Sequence, residues 1–237
     1  MIHRAGQFGP EVYAAWHDSS LGHITETLER RIIFRLAGPL QGRRVLDVGC
    51  GDGSLALLSV KAGAAWVSGC DADLRMVMKA RATAERETVD ASFSVARAEV
   101  LPFADSSFDV VTCVAVLTFV READMAIREM TRVLRPGGCL VIGDLGRWSL
   151  WAARRRVRGW FGAKFWRAAR FRSARQLAAL MRTAGLSVGP IQGSVFFPPC
   201  TMLAHLMAPI DDQLGTITKL GAAFIAIRAT KPEHAPK

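Results

Sequence analysis

The sequence lacks the features that mark several protein classes. Its longest apolar run, Val110 to Val120, has 11 residues with two threonines among them, so it is too short to cross a bilayer and favours a buried strand. The five cysteines form no C-x-x-C pair and no zinc-finger spacing, and no charged-then-apolar signal segment opens the chain. We therefore expect a reduced, cytoplasmic protein without a metal site.

Acidic residues are absent from one long segment. Between positions 145 and 210 there are 11 Lys and Arg residues and no Asp or Glu, whereas the rest of the chain has 20 bases and 21 acids. The net charge of +10 therefore belongs to this segment. Its densest part, positions 147–172, also holds four of the six tryptophans. This combination needs an explanation separate from that of the core.

Strand patterns alternate with helical patterns over most of the chain. We predict strands near 44–48, 65–70, 91–95, 108–114, 139–143, 187–192 and 222–228, and helices over 19–37, 54–62, 73–85, 122–134 and 173–185. This alternation indicates parallel β-α-β units and an α/β fold with a Rossmann-like, doubly wound sheet of seven strands. The long connection before the last strand is expected to be functional or to carry structure of its own.

The most informative stretch runs from Val45 to Gly53, where a strand enters a glycine-rich turn before a helix. Glycines in such a turn permit positive φ and let a ligand approach the main-chain N–H groups closely. The dinucleotide fingerprint G-x-G-x-x-G would need glycine at position 54, which is Ser54. The observed order is G-x-G-x-G, preceded by Asp47 and followed by Asp71 at the end of the second strand.

Two further motifs follow in order. Residues 97–103 read RAEVLPF and lead into SFDVV at 107–111, and residues 128–138 read REMTRVLRPGG. The whole set, over residues 45–143, resembles the motifs of class I S-adenosylmethionine-dependent methyltransferases, in particular the small-molecule type related to quinone- and sterol-methylating enzymes. The resemblance implies S-adenosylmethionine as the cofactor and S-adenosylhomocysteine as the product.

The same resemblance implies which residues bind the cofactor. The glycine loop would hold its amino-acid end and sugar, Asp71 the ribose, and the loop from Ala98 the adenine. The implied cofactor-binding residues are Tyr13, Asp47, Gly49, Cys50, Gly51, Gly53, Asp71, Ala72, Ala98, Glu99 and Val114. One position departs from the family, because Arg97 stands where the family has Asp and cannot accept a hydrogen bond. That adenine contact is lost, or is made by Glu99 or a backbone carbonyl.

Methyl transfer needs little protein chemistry beyond positioning, which can contribute on the order of 7–11 kcal/mol. Candidates for a general base are His17, His23 and Asp144, each of which can equally be solvated or helix-capping. Tyr13 could contact the methionine carboxylate and Trp16 could cover the site, or both could be ordinary core residues. The acceptor pocket is expected to include Trp16, Leu117 and Trp148.

Four segments are expected. Residues 1–40 form an N-terminal helical cap over the cofactor, 41–144 the cofactor-binding core, 145–220 a basic, Trp-rich cap with one helix and one strand of the core, and 221–237 the last strand and tail. Residues 147–172 fit an anionic membrane surface, so the protein could be peripheral on the inner face of a membrane. They also fit nucleic acid, or a solvated cap with buried aromatics.

The acceptor class is the least constrained part. Adenine N6 methyltransferases carry an N/D-P-P-aromatic box after the fourth strand, and positions 113–116 here are apolar, which disfavours nucleic acid. A quinone-like, lipid or polyketide-type small molecule is therefore expected. An arsenite-type enzyme would need clustered cysteines, such as Cys50, Cys70 and Cys113 at strand ends. The alternative of another class is a non-catalytic cofactor-binding or membrane-docking scaffold.

Overall fold

The computed structural model describes residues 15–233, which form a single sheet covered by helices on both faces. The elements in chain order are α1 (Ser20–Ala37), β1 (Arg44–Val48), α2 (Ser54–Lys61), β2 (Trp66–Asp71), α3 (Leu74–Glu87), β3 (Ser92–Val95), β4 (Phe108–Val114), α4 (Ala123–Val133), β5 (Leu134–Leu145), α5 (Leu150–Trp160), α6 (Lys164–Ala168), α7 (Ala174–Thr183), β6 (Ser187–Ser194), α8 (Thr201–Ile217) and β7 (Phe224–Thr230).

The sheet has the strand order β3-β2-β1-β4-β5-β7-β6. The first five strands in this order run parallel, and β7 runs antiparallel to both β5 and β6. The chain reverses direction across the sheet between β1 and β4, and ligands bind at such a switch point beside the carboxyl ends of the strands. The predicted seven-stranded, doubly wound fold is confirmed.

Burial on both faces explains why the central strands are almost wholly apolar. Successive residues of β1 alternate between two hydrophobic clusters, with Val45 in one and Leu46 in the other. The first cluster lies under α1, α2, α3 and α8, and the second under α4 and α7. Side chains of Asp73 and Ser173 cap α3 and α7, as the sequence predicts for both helix starts.

Two elements differ from expectation. The connection before β7 contains α8, a helix of 17 residues that no periodic pattern indicates. In addition, β5 begins directly after α4 at Leu134, because Leu134 pairs with Phe108 before a shift of register reaches Cys139. No helix within residues 15–233 is long and apolar enough to cross a membrane.

Within the predicted segment 145–220, we call residues 147–172 the cap. The cap contains two short helices, α5 and α6, which follow the carboxyl end of β5. Trp151 anchors α5, because it is buried and its indole N–H donates to the Phe197 carbonyl at 2.8 Å. The Arg155 guanidinium lies 5.2 Å from the Trp151 ring centre and 4.9 Å from that of Trp166, so cation–π contacts join the two helices. Two of the four cap tryptophans are therefore structural, which the solvated-cap interpretation predicts.

Candidate cofactor and acceptor site

The glycine-rich loop between β1 and α2 lies at the carboxyl edge of the sheet. Gly49, Gly51 and Gly53 have φ angles of 75°, 53° and 84°, which glycine adopts without strain. The N–H groups of Gly49 and Cys50 donate to the Cys70 carbonyl at 2.7 and 2.9 Å, which ties the loop to β2. A side-chain carbon at Gly49 would collide with the loop after β4, whereas one at Gly51 would meet nothing within 4 Å. The glycine loop is therefore packed at its base and open at Gly51.

Asp71, the last residue of β2, lies beside the open part of this loop. One carboxylate oxygen accepts from the Gly51 N–H at 3.0 Å and the other from the Asp73 N–H at 2.9 Å. Burial raises the pKa of Asp71, and the two hydrogen bonds oppose that shift. A carboxylate has about four acceptor positions, so these two hydrogen bonds do not exhaust its capacity. The site therefore fits a ligand that donates from a hydroxyl, as a ribose does, and exposed Ala72 borders it.

Asp47 lies below the loop in the interior of the sheet. Its side chain is 3% exposed, and Oδ1 accepts from the Thr112 hydroxyl at 2.8 Å. Burial raises the pKa of Asp47 to about 7, and the hydrogen bond from Thr112 opposes the shift. Asp47 thus joins β1 to β4 directly under the turn, and it is shielded from solvent there.

The departure from the family pattern at Arg97 has a local consequence. The Arg97 guanidinium lies 2.7 Å from Glu99 Oε1, and an antiparallel backbone bridge joins Arg97 to Val100. The Arg97 side chain is mostly exposed, whereas the Glu99 carboxyl is largely buried. Arg97 therefore pairs with one carboxylate oxygen of Glu99, the residue that could accept the adenine hydrogen bond in place of the family's Asp. Ala98, between them, is buried.

Two residues of α4 hold this loop from below, a role that the sequence analysis does not assign. The Leu101 N–H donates to Glu129 at 2.9 Å, and Arg132 donates to the carbonyls of Leu101 and Phe103 at 3.1 and 2.8 Å. Arg132 also pairs with Glu129 one turn earlier at 2.8 Å. The E-x-x-R spacing, which places both side chains on one helix face, is the signal that could have indicated this role.

The loop after β4 closes against the glycine loop. Val114 ends β4 opposite Gly143, and the next residue, Ala115, has a φ of 56° and donates its N–H to the Gly143 carbonyl at 2.7 Å. A left-handed conformation costs a non-glycine residue energy, so the surrounding contacts impose it here. Such enforced backbone is common at ligand sites. The sequence gives no signal for it at Ala115.

Asp144, near the end of β5, is completely buried. Oδ1 accepts from the Thr118 hydroxyl at 2.6 Å and the Leu145 N–H at 3.0 Å, and Oδ2 lies 3.9 Å from Arg172 Nη1. Burial raises the pKa of Asp144 to about 6, and the Thr118 hydrogen bond is the largest opposing effect. Arg172 in turn donates to the Leu117 carbonyl at 2.5 Å. Asp144 therefore joins the loop after β4 to the cap, and the structure does not expose it to an acceptor.

Trp16 and His17 are the described residues of the N-terminal segment that were predicted to lie at the site. Trp16 meets Trp151 of the cap edge-to-face with ring centres 5.6 Å apart. His17 Nε2 lies 3.3 Å from Glu26 on α1, and Nδ1 lies 3.6 Å from exposed Asp18. Of the two histidines among the candidate bases, His17 has a partly buried carboxylate beside it, and His23 is exposed. Tyr13, the remaining residue predicted here, lies outside the described residues.

The structure separates the three residues predicted to line the acceptor pocket. Trp16 packs on the cluster under α1 and α8, and Leu117 is fully buried in the cluster on the opposite face. Trp148 is 59% exposed. Phe119, which sequence reasoning did not select, links the loop after β4 to the cap through contact with Phe165, at 4.3 Å between ring centres.

The cysteines have no arrangement suited to a soft metal. Burial raises the pKa of Cys70 to about 12 and raises those of Cys50 and Cys113 further, so all three stay protonated near neutral pH. Within residues 15–233, no group of three or more His, Cys, Asp or Glu side chains is placed to hold a metal ion. This geometry gives an arsenite-type reaction no thiolate cluster in the described part of the chain.

Comparisons with known proteins indicate the family of this chain. Residues 46–142 match the family model described as "Methyltransferase domain". The chain is 39% identical over 134 residues to 27-O-demethylrifamycin SV methyltransferase of Amycolatopsis mediterranei, covering 54% of this chain and 48% of that enzyme. It therefore spans about half the length of such relatives. An uncharacterized protein of Mycobacterium tuberculosis is 31% identical over 226 residues, covering 95% of this chain and 73% of that protein.

A solved structure shares the fold. A SAM-dependent methyltransferase from Thermotoga maritima, described as a possible histamine N-methyltransferase, superimposes with a TM-score of 0.69 over 93% of this chain and 95% of that one, at 24% identity. The glycine loop, Asp71 and the strand order of the sheet are the physical counterpart of these matches. The chain belongs to the class I S-adenosylmethionine-dependent methyltransferases.

Proposed function

We propose that the protein transfers the methyl group of S-adenosylmethionine to a small hydrophobic or amphipathic acceptor. The observation that carries the proposal is the pairing of Asp71 with the Gly51 N–H at 3.0 Å, which leaves carboxylate acceptor positions beside an open glycine. When bound, the cofactor supplies a methyl group activated by a sulfonium. The role of the protein's own residues is to bind the cofactor, orient the acceptor and exclude water.

The acceptor class rests on the apolar character of the site and on the named relative. The loop after β4 carries the partly exposed Val116 and the exposed Phe119, and exposed Trp148 follows β5. The relative from Amycolatopsis mediterranei methylates 27-O-demethylrifamycin SV, as its name states. A quinone-like, lipid or polyketide-type acceptor therefore suits this chain better than a nucleic acid.

For a hydroxyl acceptor, we propose His17 as the general base. It has Glu26 at 3.3 Å to orient the imidazole, and its neighbour Trp16 contacts the cap. His17→Gln should lower kcat about 100-fold or more while cofactor affinity is retained, and His23→Gln is the matched control on the exposed face. Equal activity of the two variants would remove His17 from the mechanism.

The binding part is tested by titration calorimetry with S-adenosylmethionine. The wild type should bind, and Asp71→Ala should weaken binding on the order of 100-fold, since hydrogen bonds to a charged group contribute about 1.5–3 kcal/mol each. Asp73→Ala is the control, because Asp73 lies in the same loop and its side chain caps the start of α3. Absence of binding, or equal binding by the Asp71 variant, would contradict the proposed site.

The catalytic part is tested by transfer of labelled methyl to a panel of phenolic, polyketide-type and lipid hydroxyls. Methylated product that the wild type forms and Asp71→Ala does not would support the proposed activity. Cofactor binding without transfer to any acceptor would favour the alternative of a non-catalytic cofactor-binding scaffold. The two measurements therefore separate the binding site from the reaction.

We also propose that this acceptor is met at a membrane surface. The support is the end of α5, where Trp160 and Phe161 are 77% and 87% exposed beside a run of arginines. Large exposed aromatic side chains next to cationic ones suit the boundary between headgroups and acyl chains.

A further inference from the structure

The cap contains a cavity that the methyl-transfer site does not use. It has a volume of about 330 Å³ and lies between α5, α6 and the segment that leads to α7. Four arginines line it, namely Arg147, Arg156, Arg167 and Arg170, together with the aromatic rings of Trp160 and Phe171. No carboxylate is among the lining residues. The side chains that line this cavity therefore offer four guanidinium groups and aromatic rings, and no anionic group.

Among residues 15–233, no carboxylate is paired with any of these four arginines. In the described residues none of them lies within 4 Å of a carboxylate, and of all the bases in positions 147–172 only Arg172 does. Like charges gathered around one open cavity repel one another, because all four guanidinium groups are positively charged. An anion in the cavity would offset this cost, since guanidinium groups bind phosphate and carboxylate through paired N–H donors.

Two of the arginines are held in place by neutral groups. The Arg156 guanidinium donates to the Arg147 carbonyl at 2.8 Å and lies 5.3 Å from the Phe171 ring centre. The Arg170 guanidinium donates to the Arg121 carbonyl at 3.1 Å. Each contact uses one of the five N–H donors that a guanidinium carries, so most donors remain for a ligand. Side chains fixed in this way lose little entropy when an anion binds.

The surroundings of the cavity indicate which anion. Trp160 lines the cavity and is 77% exposed, and Phe161 next to it is 87% exposed. A soluble phosphate compound would use the arginines and leave these two rings in water. A phospholipid would use both, because its phosphate meets the arginines while the rings enter the acyl boundary.

We propose that the arginine cavity binds the phosphate of an anionic phospholipid while Trp160 and Phe161 enter the bilayer surface. This gives the proposed work at a membrane a specific lipid site, and it predicts preference for anionic lipid. Binding at this site does not require methyl transfer or the cofactor, so the two proposals can fail separately.

The test is flotation of the full chain with vesicles of phosphatidylcholine alone or with one third phosphatidylglycerol. The double variant Arg147→Gln/Arg167→Gln removes two cavity arginines whose guanidinium groups hold no backbone carbonyl within the described residues. Its control, Arg154→Gln/Arg158→Gln, removes the same charge from exposed positions of α5 that do not line the cavity. A third variant is Trp160→Ala/Phe161→Ala. Circular dichroism and urea denaturation report that each variant is folded.

The wild type should bind only the anionic vesicles. The cavity variant should bind at least tenfold more weakly and the aromatic variant similarly, whereas the control should lose less than threefold. Equal losses in the cavity and control variants would reduce the effect to general charge and overturn the proposal. Absence of vesicle binding would also overturn it. A further result would overturn the proposal: calorimetry shows that glycerol 3-phosphate binds, and adding it abolishes vesicle binding. That result would identify a soluble phosphate compound as the ligand.

Discussion

Two parts of the protein differ in how their charged side chains are paired. One is the cofactor edge, which consists of the glycine loop, Asp71 and residues 97–103 and is held by α4. The other is the basic cap of residues 147–172. At the edge, acids and bases meet partners within the chain, as Glu129 and Arg132 do at 2.8 Å. In the cap, one base of the described segment, Arg172, lies within 4 Å of a carboxylate. Charged side chains at the edge are thus paired with one another, whereas the described part of the cap carries cationic side chains with a single carboxylate partner.

The largest expected effect breaks the edge itself. Gly49→Ala would place a carbon against Val116 and would force alanine into a left-handed conformation. We expect a loss of about 3 kcal/mol of unfolding free energy and no measurable cofactor binding. Urea denaturation and calorimetry measure the two effects.

The matched control is Gly51→Ala. Its new methyl group meets no atom within 4 Å, so only the backbone strain remains, which costs about 1 kcal/mol. This variant should fold and still lose cofactor affinity, because the methyl group enters the open part of the loop. Equal stability of the two variants would refute the packing difference between these glycines.

The second prediction concerns α8, the helix beside the cap. Asp211 is fully buried and accepts from Ser194, Val195 and Phe196 at 2.6, 3.0 and 2.9 Å, which holds Val195 at a φ of 61°. Asp211→Ala should cost about 2–3 kcal/mol, since buried donors are left without an acceptor. Cofactor affinity should change less than twofold, because the edge does not use this contact.

The adjacent residue gives the control. Asp212 pairs with Arg31 and Arg35 at the surface, and such pairs contribute about 0–1 kcal/mol. Asp212→Ala should therefore unfold near the wild-type urea concentration. A loss of cofactor binding in the Asp211 variant would show that the edge and the α8 region are coupled.

The third prediction uses pH at Asp144, where the edge and the cap meet. Its pKa is raised from 3.8 to about 6 in the fold, so between about pH 4 and pH 6 the folded state binds more protons than the unfolded one. Stability must therefore fall as pH rises through this window. The wild type should lose about 2 kcal/mol relative to Asp144→Asn, whose oxygen still accepts from Thr118. Parallel stability curves from urea denaturation at several pH values would contradict the assigned burial effect.

The smallest expected effect is at Arg97. Arg97→Ala frees the Glu99 carboxylate from its partner at 2.7 Å and should tighten cofactor binding by a few-fold at most, because the side chain is exposed. Glu99→Gln should weaken binding if Glu99 accepts from adenine. Calorimetry of both variants decides whether Glu99 or a backbone carbonyl replaces the family's Asp.

The sequence predicts the edge far better than the cap, for physical reasons. Glycines at a strand end and an acid 20 residues later impose local backbone and hydrogen bonds, so Gly51 and Asp71 meet as expected. Helix α8 escaped prediction because Pro209 interrupts it, its N-cap Cys200 makes no side-chain hydrogen bond, and apolar residues such as Met202 and Leu206 are exposed.

Burial was the other quantity that the sequence could not supply. In the sequence, Asp144 and Asp71 each follow a predicted strand, and nothing in the sequence distinguishes how exposed their carboxylates are to a ligand. The packing of Arg172 and Thr118 around Asp144 depends on contacts across 26 to 55 positions, since Arg172 itself is placed by the Leu117 carbonyl. Contacts of that range leave no local pattern.

The connection between β6 and β7 has a consequence for how this enzyme class diversifies. Residues 195–223 leave and rejoin the sheet at Ser194 and Phe224, which pair directly with each other. The ends of the excursion are therefore held at a fixed short separation whatever its length, and loop closure grows only slowly more costly as residues are added. Insertions in the exposed parts of this excursion can therefore leave the strand register intact, whereas its buried residues Val195, Phe197 and Ala204 belong to the core and must be kept. Length can vary here at little cost to the sheet, provided that the core side of α8 is preserved.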